Sequence, residues 1–156
     1  AFLDFASGEA REELVPTCPA ALLRDVLARA GPGVACAPLP EGLRLPLRPG
    51  AVSRALQNLI DNARRYGHRV QAHIEADDHM LRFVIEDDGP GIPPERREEA
   101  LRPFHRLDPA RNQDQGTGVG LGLAIAADVA RSHGGRLELG ESPALGGLRA
   151  ALALAR

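Results

Sequence analysis

The stretch RVQAHIEADDHMLRFVIEDDGPG, residues 69–91, decides the fold of this chain. It holds two strand-like runs, Arg69–Glu75 and Met80–Glu86, joined by the polar residues Ala-Asp-Asp-His. A connection this short and polar is typical of a β-hairpin. The segment therefore predicts two neighbouring antiparallel strands, followed directly by a stretch rich in glycine and proline.

The sequence on either side of this hairpin predicts an α/β fold. Apolar residues recur at helical spacing from Pro19 to Ala30, from about Ala51 to Tyr66 and from Val119 to Ser132. Further extended runs are predicted at Val34–Ala37, Leu43–Leu47, Arg136–Gly140 and Gly147–Ala153. Because consecutive strands are often joined by hairpins, we expect a two-layer α/β sandwich, with three long helices on one face of a five- to six-stranded mixed sheet.

Length and composition exclude several classes of protein. A chain of 156 residues is long enough for one domain with a substantial core. All 19 basic residues are arginine, which excludes the lysine-dependent P-loop and the strand-borne lysine of eukaryotic-type kinases. A net charge of -2 gives no reason to expect nucleic acid as a partner. Cys18 and Cys36 lack metal-site spacing, and no apolar run reaches the length of about 18 residues that a spanning helix needs.

The first motif with chemical potential is LQNLIDNARRYG, residues 56–67, in the longest predicted helix. Asn58 and Asn62 lie four residues apart and therefore project from one face. Amide oxygens suit Mg²⁺, which binds through few protein groups together with waters and phosphates. Arg65 could contact a phosphate and Tyr66 could lie against a base. The alternative is that both asparagines are simply solvated.

The second motif, EDDGPGIPP at residues 86–94, follows the hairpin directly. Gly89 and Gly91 allow the backbone to turn sharply and to approach a ligand closely. Asp87 places a carboxylate at the end of the strand, where it could accept a hydrogen bond from the exocyclic amine of adenine. An ordinary Asp-Gly-Pro-Gly turn is the alternative interpretation.

Two further motifs precede and begin the last predicted helix. In GTGVGLGLAIA, residues 116–126, alternating glycines would expose N–H groups beside the positive end of a helix dipole, which suits a polyphosphate. The segment LRPFHRLDPARNQDQ, residues 101–115, is polar and contains the aromatic Phe104 and nearby Arg106. This composition is that of a lid that closes over a nucleotide, or alternatively of a surface loop.

Together, NLIDNARRY, DDGPG, PFHRLD and GVGLGLAI resemble the N, G1, F and G2 boxes of bacterial sensor histidine kinases. These kinases share the Bergerat ATP-binding fold with the gyrase, Hsp90 and MutL ATPases. The resemblance spans about residues 19–154, and its wording is most similar to the group of the osmosensor EnvZ, including SHGG after the last helix. It implies ATP or ADP and Mg²⁺ as cofactors, with a lid between the strand Met80–Glu86 and the last helix.

The resemblance also implies a role for individual residues. Asn62 would coordinate Mg²⁺ with Asn58 beside it, and Asp87 would accept a hydrogen bond from the adenine amine. The remaining implied nucleotide contacts are Arg65, Tyr66, Gly89, Gly91, Ile92, Phe104, Gly118, Val119, Gly120, Leu121 and Gly122, and Arg106 would face the γ-phosphate. The additional Gly116-Thr117 allows two registers for the glycine box, and we prefer the later one because GLGLAI follows it.

Position 58 bears on the expected reaction. The hydrolytic relatives carry a glutamate base there, whereas Asn58 cannot accept a proton, so we expect a poor ATPase and phosphoryl transfer to a histidine. Asn58 and Arg106 are the implied catalytic residues. None of the five histidines has the sequence context of a family phosphoacceptor. A binding-only nucleotide sensor and a gyrase/Hsp90-type ATPase fragment are the alternatives.

The resemblance further implies how this segment fits into a larger protein. We expect residues 1–13 to be a remnant of an upstream dimerisation and phosphoacceptor helix, and residues 14–156 to be the ATP-binding catalytic domain. The implied partners are the histidine-containing dimerisation domain of the same protein and a response regulator. The domain would be cytoplasmic, without membrane contact of its own, and the full-length protein would lie in the bacterial inner membrane.

Overall fold

A computed structural model describes residues 12–101 and 119–156 of the chain. Within these ranges the helices are α1 (Pro19–Ala30), α2 (Pro49–Tyr66), the short α3 (Arg97–Ala100) and α4 (Val119–Ser132), with a 3₁₀ turn at Pro94–Arg96. The strands are β1 (Val15–Thr17), β2 (Val34–Cys36), β3 (Leu45–Leu47), β4 (Val70–Ala76), β5 (Met80–Asp87), β6 (Arg136–Glu141) and β7 (Leu148–Ala155). Among the described helices, none combines the length and the hydropathy of a membrane-spanning segment.

Five of these strands form one mixed sheet in the order β2-β4-β5-β7-β6. Strand β2 runs parallel to β4, and the other three pairings are antiparallel. The predicted hairpin is confirmed, with Val70 opposite Asp87 and Ala76 opposite Leu81. The sheet therefore has β5 at its centre, and Asp87 lies at the end of that central strand.

The helices cover one face of the sheet and enclose the core. Leu81, Phe83 and Ile85 alternate along β5 and are at most 2% exposed, as one face of a pleated strand requires. They belong to one cluster with apolar residues of α1, α2, α4 and β7. The predicted two-layer α/β sandwich with three long helices and a mixed sheet is confirmed.

The extended run predicted at Leu43–Leu47 contains strand β3. This strand pairs antiparallel with β1 in a separate two-stranded sheet, with Val15 opposite Leu47. Strand β1 was not predicted, because a run of three residues has too little periodicity to distinguish it from a loop. Residues 1–11 lie outside the described ranges, so the proposed boundary near residue 13 remains a prediction.

A cluster of polar contacts connects the start of α2 to the end of α4. The Nε2 atom of His133 accepts a hydrogen bond from Arg48 N at 3.0 Å, so Nδ1 carries the proton that is donated to Val129 O at 2.8 Å. Arg48 Nη1 donates to Ser132 O at 3.0 Å. The carboxylate of Glu12 accepts from the N–H groups of the first turn of α2, at Gly50 and Ala51. The bond from Arg48 N requires a neutral His133. The contacts of Arg48 with His133 and Ser132 hold the start of α2 against the end of α4.

The stability of the domain should fall on mild acidification because of His133. Burial, the largest effect, lowers the pKa of His133, with Arg48 acting in the same direction and Val129 O and Glu12 opposing it. The unfolded chain takes up this proton near its usual pKa of about 6.5, while the folded chain resists it, so stability is lost as pH falls below that value. His133→Gln should therefore reduce the difference in unfolding free energy between about pH 7.5 and about pH 5.5.

Urea denaturation at the two pH values measures this difference. His79→Gln is the control, because His79 is exposed in the β4–β5 turn and its ring takes no part in the contacts between α2 and α4. An unchanged pH dependence in His133→Gln would contradict the role assigned to the neutral imidazole.

Candidate functional site

The buried end of β5 presents the carboxylate of Asp87. Asp87 is 3% exposed and lies on the same strand face as the core residues Phe83 and Ile85. Its Oδ1 atom accepts hydrogen bonds from Gly89 N at 2.8 Å and from Leu148 N at 3.2 Å. Two backbone donors therefore hold the carboxylate in one orientation, as expected for a group that recognises a specific ligand atom.

The neighbouring Asp88 brings the end of α2 against the end of β5. Its Oδ1 atom accepts from His68 N at 2.7 Å and from Arg69 N at 2.9 Å. These backbone donors, that of Arg69 first, lower the pKa of Asp88 below its usual range. The carboxylate thereby holds the turn that joins α2 to β4 beside the end of β5.

Glycine is required where these segments meet. A Cβ atom on Gly89 would lie 2.6 Å from Tyr66 O, and one on Gly67 would lie 2.9 Å from Asp87 Cβ. Gly91 adopts a φ of 71°, which favours glycine. Ile92 follows it and packs, partly buried, against the core. The motif after β5 is therefore a close junction with α2.

The sequence interpretation did not assign Gly147 to the site, although this glycine has the tightest surroundings there. A Cβ atom on Gly147 would lie 2.4 Å from Asp87 O and 2.6 Å from Asp87 Oδ1. Gly147 N donates to Asp87 O at 3.1 Å, so the two backbones are in direct contact. The available signal was the Gly146-Gly147 pair just before a strand, a pattern that can indicate close backbone approach.

Gly147→Ala should weaken both the fold and the site. The added methyl group would overlap backbone atoms of Asp87 that cannot rotate away, so we expect a destabilisation of about 1–3 kcal/mol. Gly140→Ala is the matched control, because a Cβ atom there meets nothing within 4 Å. Urea denaturation and ADP titration of both variants test this. Equal stability and affinity in the two variants would contradict the assigned contact.

The second part of the site is the face of α2 that carries Asn58 and Asn62. Asn58 lies against α4, since a Cβ atom on Gly122 would be 3.9 Å from Asn58 Cβ. The amide nitrogen of Asn58 is buried and has no hydrogen-bond partner in the part of the chain that the structure describes. Buried amides are almost always paired in folded proteins, so this donor is available for a ligand. Asn62 lies one turn later and is half-buried.

The structure brings together most of the predicted site residues that it describes. Asn58, Asn62 and Tyr66 lie along α2 toward Asp87, with Tyr66 half-buried and Arg65 exposed. Val119, Gly120 and Leu121 form the first turn of α4, and Gly122 follows them. Phe104, Arg106 and Gly118 lie outside the described residues, as does the predicted lid. The described ranges contain no group of three His, Cys, Asp or Glu side chains placed to hold a metal ion.

This arrangement has the chemistry of a nucleotide site. A fixed carboxylate at one end suits a base with an exocyclic amine, and the amide-bearing face of α2 beside the start of α4 suits phosphates and a hard cation. The fold and site together indicate a nucleotide-binding domain of the two-layer α/β type.

Comparisons with known proteins agree with this class. Residues 48–154 match the family described as histidine kinase-, DNA gyrase B- and HSP90-like ATPase. Over 102 residues, or 65% of this chain, the sequence is 42% identical to the sensor histidine kinase CpxA of Escherichia coli K12, and it spans 22% of that relative's length. The ATP-binding domain of PrrB from Mycobacterium tuberculosis is 30% identical with a TM-score of 0.71, over 92% of this chain and 97% of that one.

A third similar protein is the histidine kinase domain of the E. coli osmosensor EnvZ, with 35% identity and a TM-score of 0.67. The alignment covers 92% of this chain and 88% of that one. The chain therefore belongs to the histidine kinase-, gyrase B- and HSP90-like ATPase family, and within it to the ATP-binding domains of sensor histidine kinases.

Proposed function

We propose that this domain holds Mg·ATP and donates the γ-phosphoryl group to a histidine on the dimerisation domain of its own full-length protein. The observation that carries the proposal is Asn58, whose buried amide nitrogen lacks a partner in the described chain. The resemblance to the hydrolytic relatives implies a glutamate base at this position, whereas the side chain of Asn58 does not ionise. An amide in this position can bind a phosphate or position a ligand, and it cannot activate water by removing a proton.

The adenine end of the proposed site rests on Asp87. Because Oδ1 already accepts from Gly89 N and Leu148 N, the orientation of the carboxylate is set before a ligand arrives. A carboxylate accepts a hydrogen bond from the amine of adenine and opposes the carbonyl oxygen that guanine presents at the same position. Gly89, Gly91 and Ile92 shape the wall of this pocket in the proposal.

The phosphate end of the proposed site rests on the two asparagines. The amide nitrogen of Asn58, which has no partner among the described residues, fits a phosphate oxygen as its acceptor. The half-buried Asn62 fits Mg²⁺, since this cation takes one or two protein oxygens and leaves the rest of its shell to waters and phosphates. Asn62 would hold the ion, which offsets negative charge on the phosphates when bound. The N–H groups at the start of α4 and the exposed Arg65 would contact the phosphates.

The remaining parts of the proposal follow from the kinase family. In the proposal, Phe104 and Arg106 would belong to the lid and Arg106 would face the γ-phosphate. The glycine box would consist of Gly118, Val119, Gly120, Leu121 and Gly122. The full-length protein would be an inner-membrane sensor that passes the phosphoryl group to a response regulator. A gyrase-like ATPase is less well supported, because Asn58 lacks the acid–base chemistry of a hydrolytic glutamate.

Mixing the domain with its separately expressed dimerisation domain and radiolabelled ATP tests the proposal. We expect label on the dimerisation domain, in an acid-labile and base-stable form, and little phosphate release by the catalytic domain alone. Vigorous phosphate release without the dimerisation domain would overturn the assignment of Asn58. ATP binding without any transfer of label would favour a binding-only sensor.

A further inference from the structure

The buried polar side chains of the described chain are concentrated around one loop. Glu86, Asp87 and Ser142 are 4%, 3% and 1% exposed, and they are the buried polar or charged residues within residues 12–101 and 122–156. Glu86 and Asp87 are consecutive at the end of β5, and Ser142 begins the loop that joins β6 to β7. Asp87 is explained by ligand recognition, whereas Glu86 and Ser142 have no role in the site described so far.

Glu86 and Asp87 hold this loop from opposite faces of the sheet. Successive residues of a strand point to opposite faces, so Glu86 lies on the face away from the helices. Its Oε2 atom accepts a hydrogen bond from Ser142 Oγ at 2.6 Å, and His73 Nδ1 lies 3.6 Å from Oε1. On the helix side, Asp87 Oδ1 accepts from Leu148 N, at the other end of the same loop. The loop is therefore fixed at both ends by adjacent carboxylates.

The side chain of Ser142 organises the inside of the loop. Its Oγ atom accepts from Leu145 N at 3.0 Å while donating to Glu86. The backbone closes around it, with Ser142 N donating to Gly147 O at 2.8 Å and Gly146 N donating to Ser142 O at 2.9 Å. Moving Ser142 would therefore displace Gly147, which is in backbone contact with Asp87.

Burying a carboxylate costs free energy of desolvation. A hydrogen bond from a hydroxyl group to a carboxylate is among the stronger hydrogen bonds and offsets part of this cost. An apolar pair at positions 86 and 142 would close a hairpin without this cost. The hydrogen bond between Ser142 and Glu86 is explained if it fixes the position of Leu148 N. Leu148 N is one of the two donors that orient the carboxylate of Asp87.

We propose that Glu86 and Ser142 are positioning residues for adenine recognition. Acting through the β6–β7 loop, they place Gly147 and Leu148 so that the Asp87 carboxylate meets the exocyclic amine of the base. This inference rests on the proposed adenine role of Asp87. Glu86 and Ser142 would thus contribute to selectivity for the adenine amine from the face of the sheet opposite to the nucleotide.

The test compares two ligands by calorimetry, ADP and purine riboside diphosphate, which carries hydrogen in place of the adenine amine. Ser142→Ala should weaken ADP binding by about tenfold and leave the affinity for the analogue unchanged, because only the amine contact depends on the orientation of Asp87. Ser53→Ala is the matched control, being the same change on α2 away from the loop. Glu86→Gln keeps a weaker, neutral acceptor for Ser142 and should produce a smaller selective loss.

Asp87→Asn in the same assay separates this inference from the adenine assignment. If the wild type binds both ligands equally, or if Asp87→Asn leaves the preference for ADP intact, the adenine role of Asp87 fails. A different result overturns only the positioning role: Asp87→Asn removes the preference for ADP, while Ser142→Ala and Glu86→Gln keep this preference or weaken the binding of both ligands equally. In that case the adenine role of Asp87 stands. Should Ser142→Ala not fold, Glu86→Gln decides by the same criterion.

Discussion

Asp87→Asn should strongly weaken the binding of ADP and ATP while leaving the fold intact. The amide oxygen of asparagine can still accept from Gly89 N and Leu148 N, so the junction between β5 and the β6–β7 loop keeps its hydrogen bonds. The second oxygen, however, becomes an NH₂ donor, and a donor placed against the adenine amine leaves both groups unsatisfied in a buried site. We expect affinity to fall by about 100-fold or more.

Calorimetry with ADP measures this loss, and thermal unfolding checks the fold. Asp77→Asn is a close control, since Asp77 Oδ1 also accepts from two backbone N–H groups, those of His79 and Met80. Asp77 lies in the turn at the other end of the β4–β5 hairpin. If Asp87→Asn leaves the nucleotide affinity unchanged, the adenine assignment of Asp87 is wrong. If Asp77→Asn loses as much nucleotide affinity as Asp87→Asn, the loss does not report a direct contact with the nucleotide.

Asn62→Ala should produce the second large effect, a loss of Mg²⁺-dependent nucleotide binding and of phosphoryl transfer. Without its amide oxygen the site would hold the cation only through the nucleotide and water, so the affinity for Mg·ATP should fall by about tenfold or more. Binding of ATP in the presence of a chelator should change much less, because the adenine contact at Asp87 is untouched. Label transfer to the dimerisation domain should fall at least as far as the Mg·ATP affinity.

The control for this experiment is Gln57→Ala, which deletes an amide from the same helix. The Gln57 side chain donates to the exposed Asp61 at 2.9 Å and is thus directed along the helix surface. Titrations of both variants with and without Mg²⁺ separate a metal ligand from a general contact. Equal losses for Mg·ATP and metal-free ATP in Asn62→Ala would rule out its metal role.

Local features of the sequence predicted much of the fold. The apolar spacing of α1, α2 and α4, the stops at Gly31 and Gly67, and the hairpin β4–β5 depend on residues within a few positions of one another. Gly31 has a φ of 86°, which favours glycine, and its N–H donates to Leu27 O at the end of α1. Such patterns report backbone conformation directly, because their physical causes are local.

Pairings between distant segments could not be predicted in the same way. Strand β3 pairs with β1, about 30 residues away, and three-residue strands leave too little pattern to identify a partner. In the sequence, His133 is part of the SHGG that follows the last helix, and its pattern indicates no partner for the ring. The structure shows the ring hydrogen-bonded to Val129 O and to Arg48 N. Its protonation state follows from two partners, one of which lies 85 positions away in the chain.

For the site, the sequence by itself determined the residue types and their order, from Asn58 and Asn62 through Asp87 to Gly122. Spacing along a helix or a strand end is a local property, and it predicted which side chains share a face. Only the tertiary structure decided that Gly147 contacts Asp87 and that Ser142 binds Glu86 across the sheet. These contacts join residues about 60 positions apart, and they form because β7 inserts beside β5, which residues near Asp87 in the sequence do not encode.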